Sequence, residues 1–467
     1  MVFSSLTFLF CFLPALYLLL FLSSKPRWRN GVLIAASLLF YGWGEPVWVL
    51  AMLFSTAVNY VCALLLDSTE SRALRRLYLT LGVIASVCFL FYFKYSAFLL
   101  RSVGALLHLG WTVTDRRLPI GISFYTFQIL TYTVDVYRGK APVLRNPLRL
   151  LLYISCFPQL IAGPIVQYGD VADQLAERHI TPDAFAEGME RFTVGLAKKV
   201  LLANLCGAAV EELPLAGTGA ALSVGGAWFM CFLYGLQIYF DFSAYSDMAI
   251  GLGRTLGFRY KENFDYPFAS LSVTEFWRRW HISLGSFFRD YVYIPLGGSR
   301  RGKLRTAFNI LLVWSLTGLW HGASWNFVVW GAYFGVLLVL ERFGIGRLLE
   351  LLPTALRWIL SSVAILISWA IFYYTDFSAV LAQLGAMFGI GAVGLLDPVT
   401  VAVLRKYTVF PLLAYALSLP LVPALRRVLV RFRFAGALRL MLLLALFVGS
   451  VLFLIGQSYN PFIYFRF

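Results

Sequence analysis

The chain has 467 residues, 60% hydrophobic and only 13% charged, with a mean hydropathy of +0.77. An average soluble domain is about half apolar and a quarter charged, so a chain this apolar could not cover its own surface in water, and lipid must solvate most of it. The net charge of +16 (39 basic against 23 acidic residues) falls mostly in short links between apolar runs, where it sets topology and meets anionic lipid; no basic soluble domain exists to carry nucleic-acid binding.

Met1-Val2-Phe3-Ser4-Ser5 opens without a basic n-region, and Lys25, Arg27 and Arg29 follow the first apolar run. This predicts a retained first helix with its N-terminus outside and its end in the cytoplasm. A span takes about 20 apolar residues. Runs that meet or approach this lie at roughly 5–22, 31–43, 47–66, 77–93, 119–136, 148–165, 225–250, 306–322, 325–342, 356–375, 408–424 and 437–457, so about ten to twelve membrane-embedded helices are predicted. The basic links at 72–76 and 138–149 read as cytoplasmic. The stretch from Lys94 to Arg117 is also basic, although alternation of the spans puts it outside; Ala97 to Trp111 within it reads as an interfacial piece. Thr181-Pro182-Asp183 is a helix start, and the helix it opens reads as amphipathic rather than spanning, with Asp183 and Glu187 near its beginning and Lys198 and Lys199 toward its end. No long linker and no internal repeat is visible, so residues 1–467 are predicted to form a single all-α integral membrane domain.

The six cysteines form no CxxC pair and read as small core hydrophobes. GxSxG and the P-loop are absent, and Gly251-Leu-Gly253-Arg-Thr-Leu-Gly257 neither is GxGxxG nor follows a strand. Of four histidines, His108 and His179 have no chemical context. His321 ends an apolar run, flanked by Gly318 and Gly322 and by Trp320 and Trp325. An ionisable group at membrane depth is a functional hypothesis by default, and imidazole suits proton transfer near neutral pH; a buried histidine bonded to a backbone carbonyl is the alternative. His281 lies in Val273-Thr-Glu-Phe-Trp-Arg-Arg-Trp-His, which is too charged to span lipid and too aromatic for an ordinary loop, and reads as a re-entrant or cavity-lining segment. Trp277 and His281 are four apart and would share a helix face. Arg278, Arg279 and Arg289 suit either a donor's phosphates or lipid headgroups. Asp241, Asp247 and Arg254 interrupt an apolar helix, where interhelical bonding that fixes the fold competes with a functional role. A haem or metal held by His281 and His321 would ordinarily bring further intramembrane histidines, so the site is read as holding no metal.

Cys156-Phe-Pro-Gln-Leu-Ile-Ala-Gly-Pro164, Tyr239-Phe-Asp-Phe-Ser-Ala-Tyr-Ser-Asp247, Phe276-Trp-Arg-Arg-Trp-His281, Asp290-Tyr-Val-Tyr-Ile-Pro-Leu-Gly-Gly298, Gly318-Leu-Trp-His-Gly-Ala-Ser-Trp325 and the ending Tyr459-Asn-Pro-Phe-Ile-Tyr-Phe-Arg-Phe467 together resemble the membrane-bound O-acyltransferase (MBOAT) family. Within it they resemble the bacterial alginate and exopolysaccharide O-acetyltransferase branch, which is related to the teichoic-acid D-alanyl transfer protein. The resemblance covers essentially the whole chain. It implies a polytopic fold of tilted, re-entrant and interfacial helices around a central tunnel. His321 matches the family's catalytic histidine and His281 the second signature position. Asp241, Tyr245, Trp277, Arg278, Trp280, Arg289, Trp320, Ser324, Trp325 and Asn326, from the same segments, are candidates for substrate contact or tunnel lining.

The implied reaction moves an acetyl group from a cytoplasmic thioester donor, acetyl-CoA or an acyl-carrier protein, across the bacterial inner membrane for O-acetylation of a secreted polysaccharide. No bound cofactor is implied. A periplasmic SGNH-like acetyltransferase is the implied partner. His321 would act as general base and then protonate the leaving thiolate, His281 would orient a substrate, and Trp320 and Trp325 would exclude water. Alginate is the first choice of polymer; cellulose or another cell-surface polymer is the alternative. The rival class is a polysaccharide transporter or flippase, for which internal repeats and paired broken helices would be the usual signs; a structural scaffold is a third. Gly297-Gly298 gives way to Arg300, Arg301, Lys303 and Arg305, a basic edge that reads as cytoplasmic, able to attract an acidic carrier or only to anchor the helix.

Overall fold

The structure, a computed structural model, describes residues 1–429, 434–456 and 462; the motif-like ending from Tyr459 lies, apart from Phe462, outside the described residues. Every regular element among the described residues is a helix. Six helices are long and apolar enough to cross a membrane, or seven if Pro398–Lys406 and Phe410–Leu417, bent by 65°, form one broken span. The other predicted runs are helical but shorter, more polar or interrupted. The run at 148–165 breaks into Pro147–Ser155 and Phe157–Leu160, because Pro158 has no N–H to continue the first helix.

The chain forms two compact units, residues 1–196 with 245–262, and residues 197–244 with 263–467. The helices used below are α1 (Phe8–Phe21), α2 (Pro26–Gly42), α3 (Trp48–Asp67), α4 (Arg72–Leu106), α5 (Ile122–Tyr137), α6 (Pro182–Glu211), α7 (Val224–Thr255), α8 (Val273–Arg279), α9 (Ile282–Phe288), α10 (Lys303–His321), α11 (Trp325–Glu350), α12 (Thr354–Tyr373) and α13 (Pro398–Lys406).

In the first unit α3, α4 and α5 are joined by a buried polar ladder: Asn59 donates to Ser86 Oγ (2.8 Å), and Thr133 Oγ1 donates to Asn59 Oδ1 (2.8 Å). Such bonds hold helices together where lipid supplies no hydrophobic drive between them. Phe3, Phe8, Phe12, Phe40 and Phe157 form an aromatic core. Residues 97–106, the first part of the piece read as interfacial, are helical and continue α4. One sequence reading changes here. The helix opening at Thr181 does not stop as a short amphipathic element; it runs on through a π-turn at Lys198–Ala203 to Glu211, and its apolar second half makes it long enough to span. Within this unit α6 meets α7 through Gly188 and Gly251, where a Cβ on either would come within 2.5 Å of the other's carbonyl oxygen. The ion pairs Glu187–Arg254 and Arg191–Asp247 flank that contact.

In the second unit Lys199 of α6 and Asp241 of α7 form an ion pair at 2.5 Å with both side chains buried. Asp397 caps α13, accepting from Thr400 N (2.8 Å), Thr400 Oγ1 (2.6 Å) and Ser223 Oγ (2.5 Å), which ties α13 to the start of α7. The α10–α11 hairpin carries the candidate site. A Cβ on Gly318 would strike the Phe327 carbonyl, and one on Gly331 the Trp314 carbonyl, so the two backbones touch where His321 leaves α10. α12 packs on α11, with Tyr333 Oη donating to the Ala364 carbonyl (2.8 Å).

Candidate active site

The charged, aromatic segment after Asn263 folds as two short helices around a sharp turn. Ser272 caps α8 by accepting from Glu275 N (3.0 Å). The Glu341 carboxylate, on α11, accepts from Val273 N (2.7 Å), Thr274 N (2.8 Å) and Thr274 Oγ1 (2.6 Å), so a spanning helix holds the free N–H groups of a non-spanning one. α8 ends at Arg279, and His281 follows in a left-handed conformation (φ 45°, ψ 53°) as the residue before α9. Trp277 and His281 therefore do not share a helix face as their spacing suggested, because the helix stops between them.

They meet in a cavity instead. A cavity of about 230 Å³ is walled by Trp277, Leu284, Phe288, Trp314 and Thr317, with His281, Tyr293, Arg289 and Arg342 completing the lining. His281 is buried. Its Nδ1 lies 3.1 Å from Asn263 Oδ1, and its ring meets Phe242 edge-on at 4.6 Å. Nε2 has no hydrogen-bond partner among the described residues.

His321, at the C-terminal end of α10, is also buried. Rings crowd it edge-on: Trp320 and Trp330 at 5.0 Å and Phe372 at 5.4 Å. Trp320 also touches His281 (5.6 Å), so one indole contacts both imidazoles. His321 is not in the lining of the cavity described above.

The remaining sequence candidates scatter. Trp277 and Arg289 line the cavity, and Arg289 pairs with Asp290. Trp280 is buried in the core against Trp369, Phe276 and Phe264. Asp241 is committed to Lys199, and Tyr245 stacks on Phe3 in the first unit (4.5 Å). Arg278 is exposed. Trp325, expected to exclude water beside Trp320, is 54% exposed, since it begins α11 and points away; Trp330 and Phe372 enclose His321 instead. Ser324 precedes α11 without making a side-chain cap. Asn326 is buried and donates to the Ile371 carbonyl (3.4 Å).

Sequence reasoning missed Asn263, Trp314, Trp330, Glu341, Arg342 and Phe372. Glu341-Arg342 closing an apolar run was a usable signal, since charge at membrane depth asks for a purpose. Trp314 and Trp330 look like any core aromatic until the turn before α9 is known.

Comparison with known proteins fits this arrangement. Residues 75–382 match the model of MBOAT, the membrane-bound O-acyltransferase family. The chain is 39% identical to the probable alginate O-acetylase AlgI of Azotobacter vinelandii, with all of both chains covered. It is 34% identical to the peptidoglycan O-acetyltransferase of Helicobacter pylori over 85% of this chain and 81% of that one. Similarity to the teichoic acid D-alanyltransferase of Streptococcus thermophilus is 29% identity over 48% of this chain and 56% of that protein. A multi-pass chain of apolar helices, carrying two buried histidines around one tryptophan and aligned end to end with an O-acetylase, belongs to the membrane-bound O-acyltransferase family.

Proposed function

We propose that this protein, in a bacterial inner membrane, moves an acetyl group from a cytoplasmic thioester across the membrane to a hydroxyl for O-acetylation of a secreted polysaccharide, with alginate the first candidate. The observation that carries the reading is the pair of buried histidines in contact with one indole, Trp320, beside an aromatic cavity that His281, Arg289 and Arg342 help to line. At about 230 Å³ the cavity is smaller than the roughly 300–1,000 Å³ of common ligand pockets, so it suits the reacting end of a pantetheine arm rather than a whole nucleotide. Guanidinium groups match phosphate in geometry and charge. The exposed basic stretch at Arg300, Arg301, Lys303 and Arg305 would attract an acidic carrier or the phosphates of CoA.

In the proposed reaction His321 accepts the proton of the attacking hydroxyl as its oxygen bonds to the thioester carbonyl carbon. The C–S bond then breaks, and the imidazolium returns the proton to the leaving thiolate, giving ester and free thiol. The enclosing rings of Trp320, Trp330 and Phe372 exclude water, which would otherwise hydrolyse the thioester. A periplasmic SGNH-like acetyltransferase would supply the attacking hydroxyl and then pass the acetyl group from its own ester to a hydroxyl of the polymer. Of the three relatives above, one is named for alginate and none for cellulose, which favours alginate.

The test is made with detergent-purified protein, acetyl-CoA or an acetylated carrier protein as donor, and oligomannuronate as acceptor, with and without the periplasmic partner. Acceptor-dependent thiol release with acetyl ester formed is the expected result. No thiol release with either donor would overturn the thioester reading; transfer to muropeptide in preference to oligomannuronate would overturn the choice of polymer.

A further inference from the structure

We propose that Asn263 is a positioning residue that fixes the tautomer of His281, leaving Nε2 as the ring nitrogen that accepts a hydrogen from the substrate; this rests on the acyl-transfer reading above. Asn263 is 1% exposed and precedes the α8–α9 segment. Its Oδ1 faces three groups: Ser283 N at 3.2 Å, Ser283 Oγ at 2.8 Å and His281 Nδ1 at 3.1 Å. The first decides the others. A backbone N–H can only donate, so the amide atom facing it is the carbonyl oxygen and not the NH₂. An oxygen in that place cannot donate to Nδ1, and two lone pairs at 3.1 Å would repel, so Nδ1 carries the proton. Ser283 Oγ does not change this: it is 2.8 Å from Asn263 Oδ1 and 3.5 Å from Nδ1, so its one hydrogen goes to the amide oxygen. Neutral imidazole protonated at Nδ1 has a bare Nε2.

The backbone agrees. The Asn263 carbonyl accepts from Ile282 N (3.0 Å), so a single residue holds the ring of His281 and the main chain on its C-terminal side. That residue is needed because His281, which is not glycine, sits at φ 45°. Strain of this kind persists where surrounding bonds over-determine it, which is common at active sites. The charged and titratable groups around the ring are accounted for. Asp241, beside Phe242, is held by Lys199; Arg279 pairs with Asp265 and Glu275; Arg289 pairs with Asp290. Arg342 and Tyr293 line the same cavity, and His321 is an electrostatic neighbour. Among the described residues the hydrogen-bond partners of the His281 ring are neutral, Asn263 and Ser283, so nothing bonded to it favours the imidazolium.

Two measurements test this. In detergent-purified protein labelled with ¹⁵N-histidine, the His281 signals are assigned by their loss in His281→Gln. A protonated Nδ1 with a bare Nε2 at neutral pH is expected; a protonated Nε2, or imidazolium, overturns the proposal without reference to turnover. The second uses Asn263→Asp, which keeps an acceptor for all three donors but adds a negative charge. A carboxylate at this distance holds the imidazolium by roughly 1–3 pH units, so the pH at which the His281 ¹⁵N signals change to imidazolium moves up by about that amount, and the pH at which donor KM rises moves with it as the protonated ring loses its acceptor. An active Asn263→Asp protein in which the His281 titration moves while the pH dependence of donor KM does not would overturn the link to function. His281→Ala with full transfer would instead overturn the placing of His281 in the active site, while the tautomer result stood.

Discussion

The buried imidazole of His321 is walled by three aromatic rings. Such a wall supplies little polarisation, but it keeps water from the thioester and raises the worth of each remaining dipole. His321→Ala is expected to lower acetyl transfer by about 10² to 10⁴, the usual range for a lost general base, while the protein still extracts and migrates as wild type. His281→Ala is expected to lose less, since its part is to orient; side-by-side rates decide, and a greater loss at His281 would exchange the two roles. His321 stood out in the sequence because an ionisable side chain in an apolar run is conspicuous, and His281 because its segment is too charged to span lipid and too aromatic for an ordinary loop. Side-chain direction was not. Trp280 stands one place before His281 and Trp325 four places after His321, yet one lies in the core and the other is exposed. Asn263 gave no signal, because its role depends on a left-handed turn eighteen residues later that no local pattern announces.

Among elements, the contact of α6 with α7 in the second unit rests on the buried pair Lys199–Asp241. Removing one partner leaves an uncompensated charge, which costs about 3–5 kcal/mol, whereas replacing both with apolar groups is often neutral. Asp241→Leu alone should therefore lower thermal stability sharply, and Lys199→Met with Asp241→Leu should recover most of it. A double variant no more stable than the single one would return Asp241 to a functional role. Glu341 makes a different kind of joint, capping α8 from the spanning helix α11. Glu341→Ala leaves two backbone donors open and should cost about 0.5–2 kcal/mol, the usual range for a lost cap. Because α8 carries Trp277 into the cavity, donor KM should rise in this variant more than kcat falls; the reverse split would argue that the cap is merely structural. Apolar periodicity located most helices, since lipid forces the backbone into them. It could not show that α8 ends before His281, or that the helix after Thr181 continues past two lysines, because each outcome is set by a partner distant in sequence: Asn263 for the turn, Asp241 for Lys199.

For the molecule as a whole, the basic links bear on which end of the first unit faces the cytoplasm. The basic links at 72–76 and 138–149 were both read as cytoplasmic, and the structure places them together: Arg75 donates to the Tyr137 carbonyl (3.2 Å) and to that of Leu66 (3.1 Å), while Arg145 pairs with Asp67. The conflicting basic stretch after Lys94 lies toward the other end of α4. Over its 35 residues that helix runs about 50 Å at 1.5 Å per residue, more than the roughly 30 Å hydrocarbon core. Its charges are engaged there. Arg101 pairs with Asp115, Arg117 with Glu45, and buried Lys94 donates to Ser123 Oγ. Both basic groups therefore have partners in the fold, at opposite ends of α4, and the expectation that the links at 72–76 and 138–149 face the cytoplasm rests on the excess of basic residues in short loops. Labelling can test this cleanly, because of the six cysteines only Cys11 and Cys88 are exposed. In a Cys11→Ser, Cys88→Ser background, a membrane-impermeant maleimide added to intact cells should label His108→Cys and spare Arg72→Cys, and inverted vesicles should show the opposite. Arg72→Cys labelled from outside would turn the unit over. Labelling of both positions from one side would mean that α4 does not cross the bilayer.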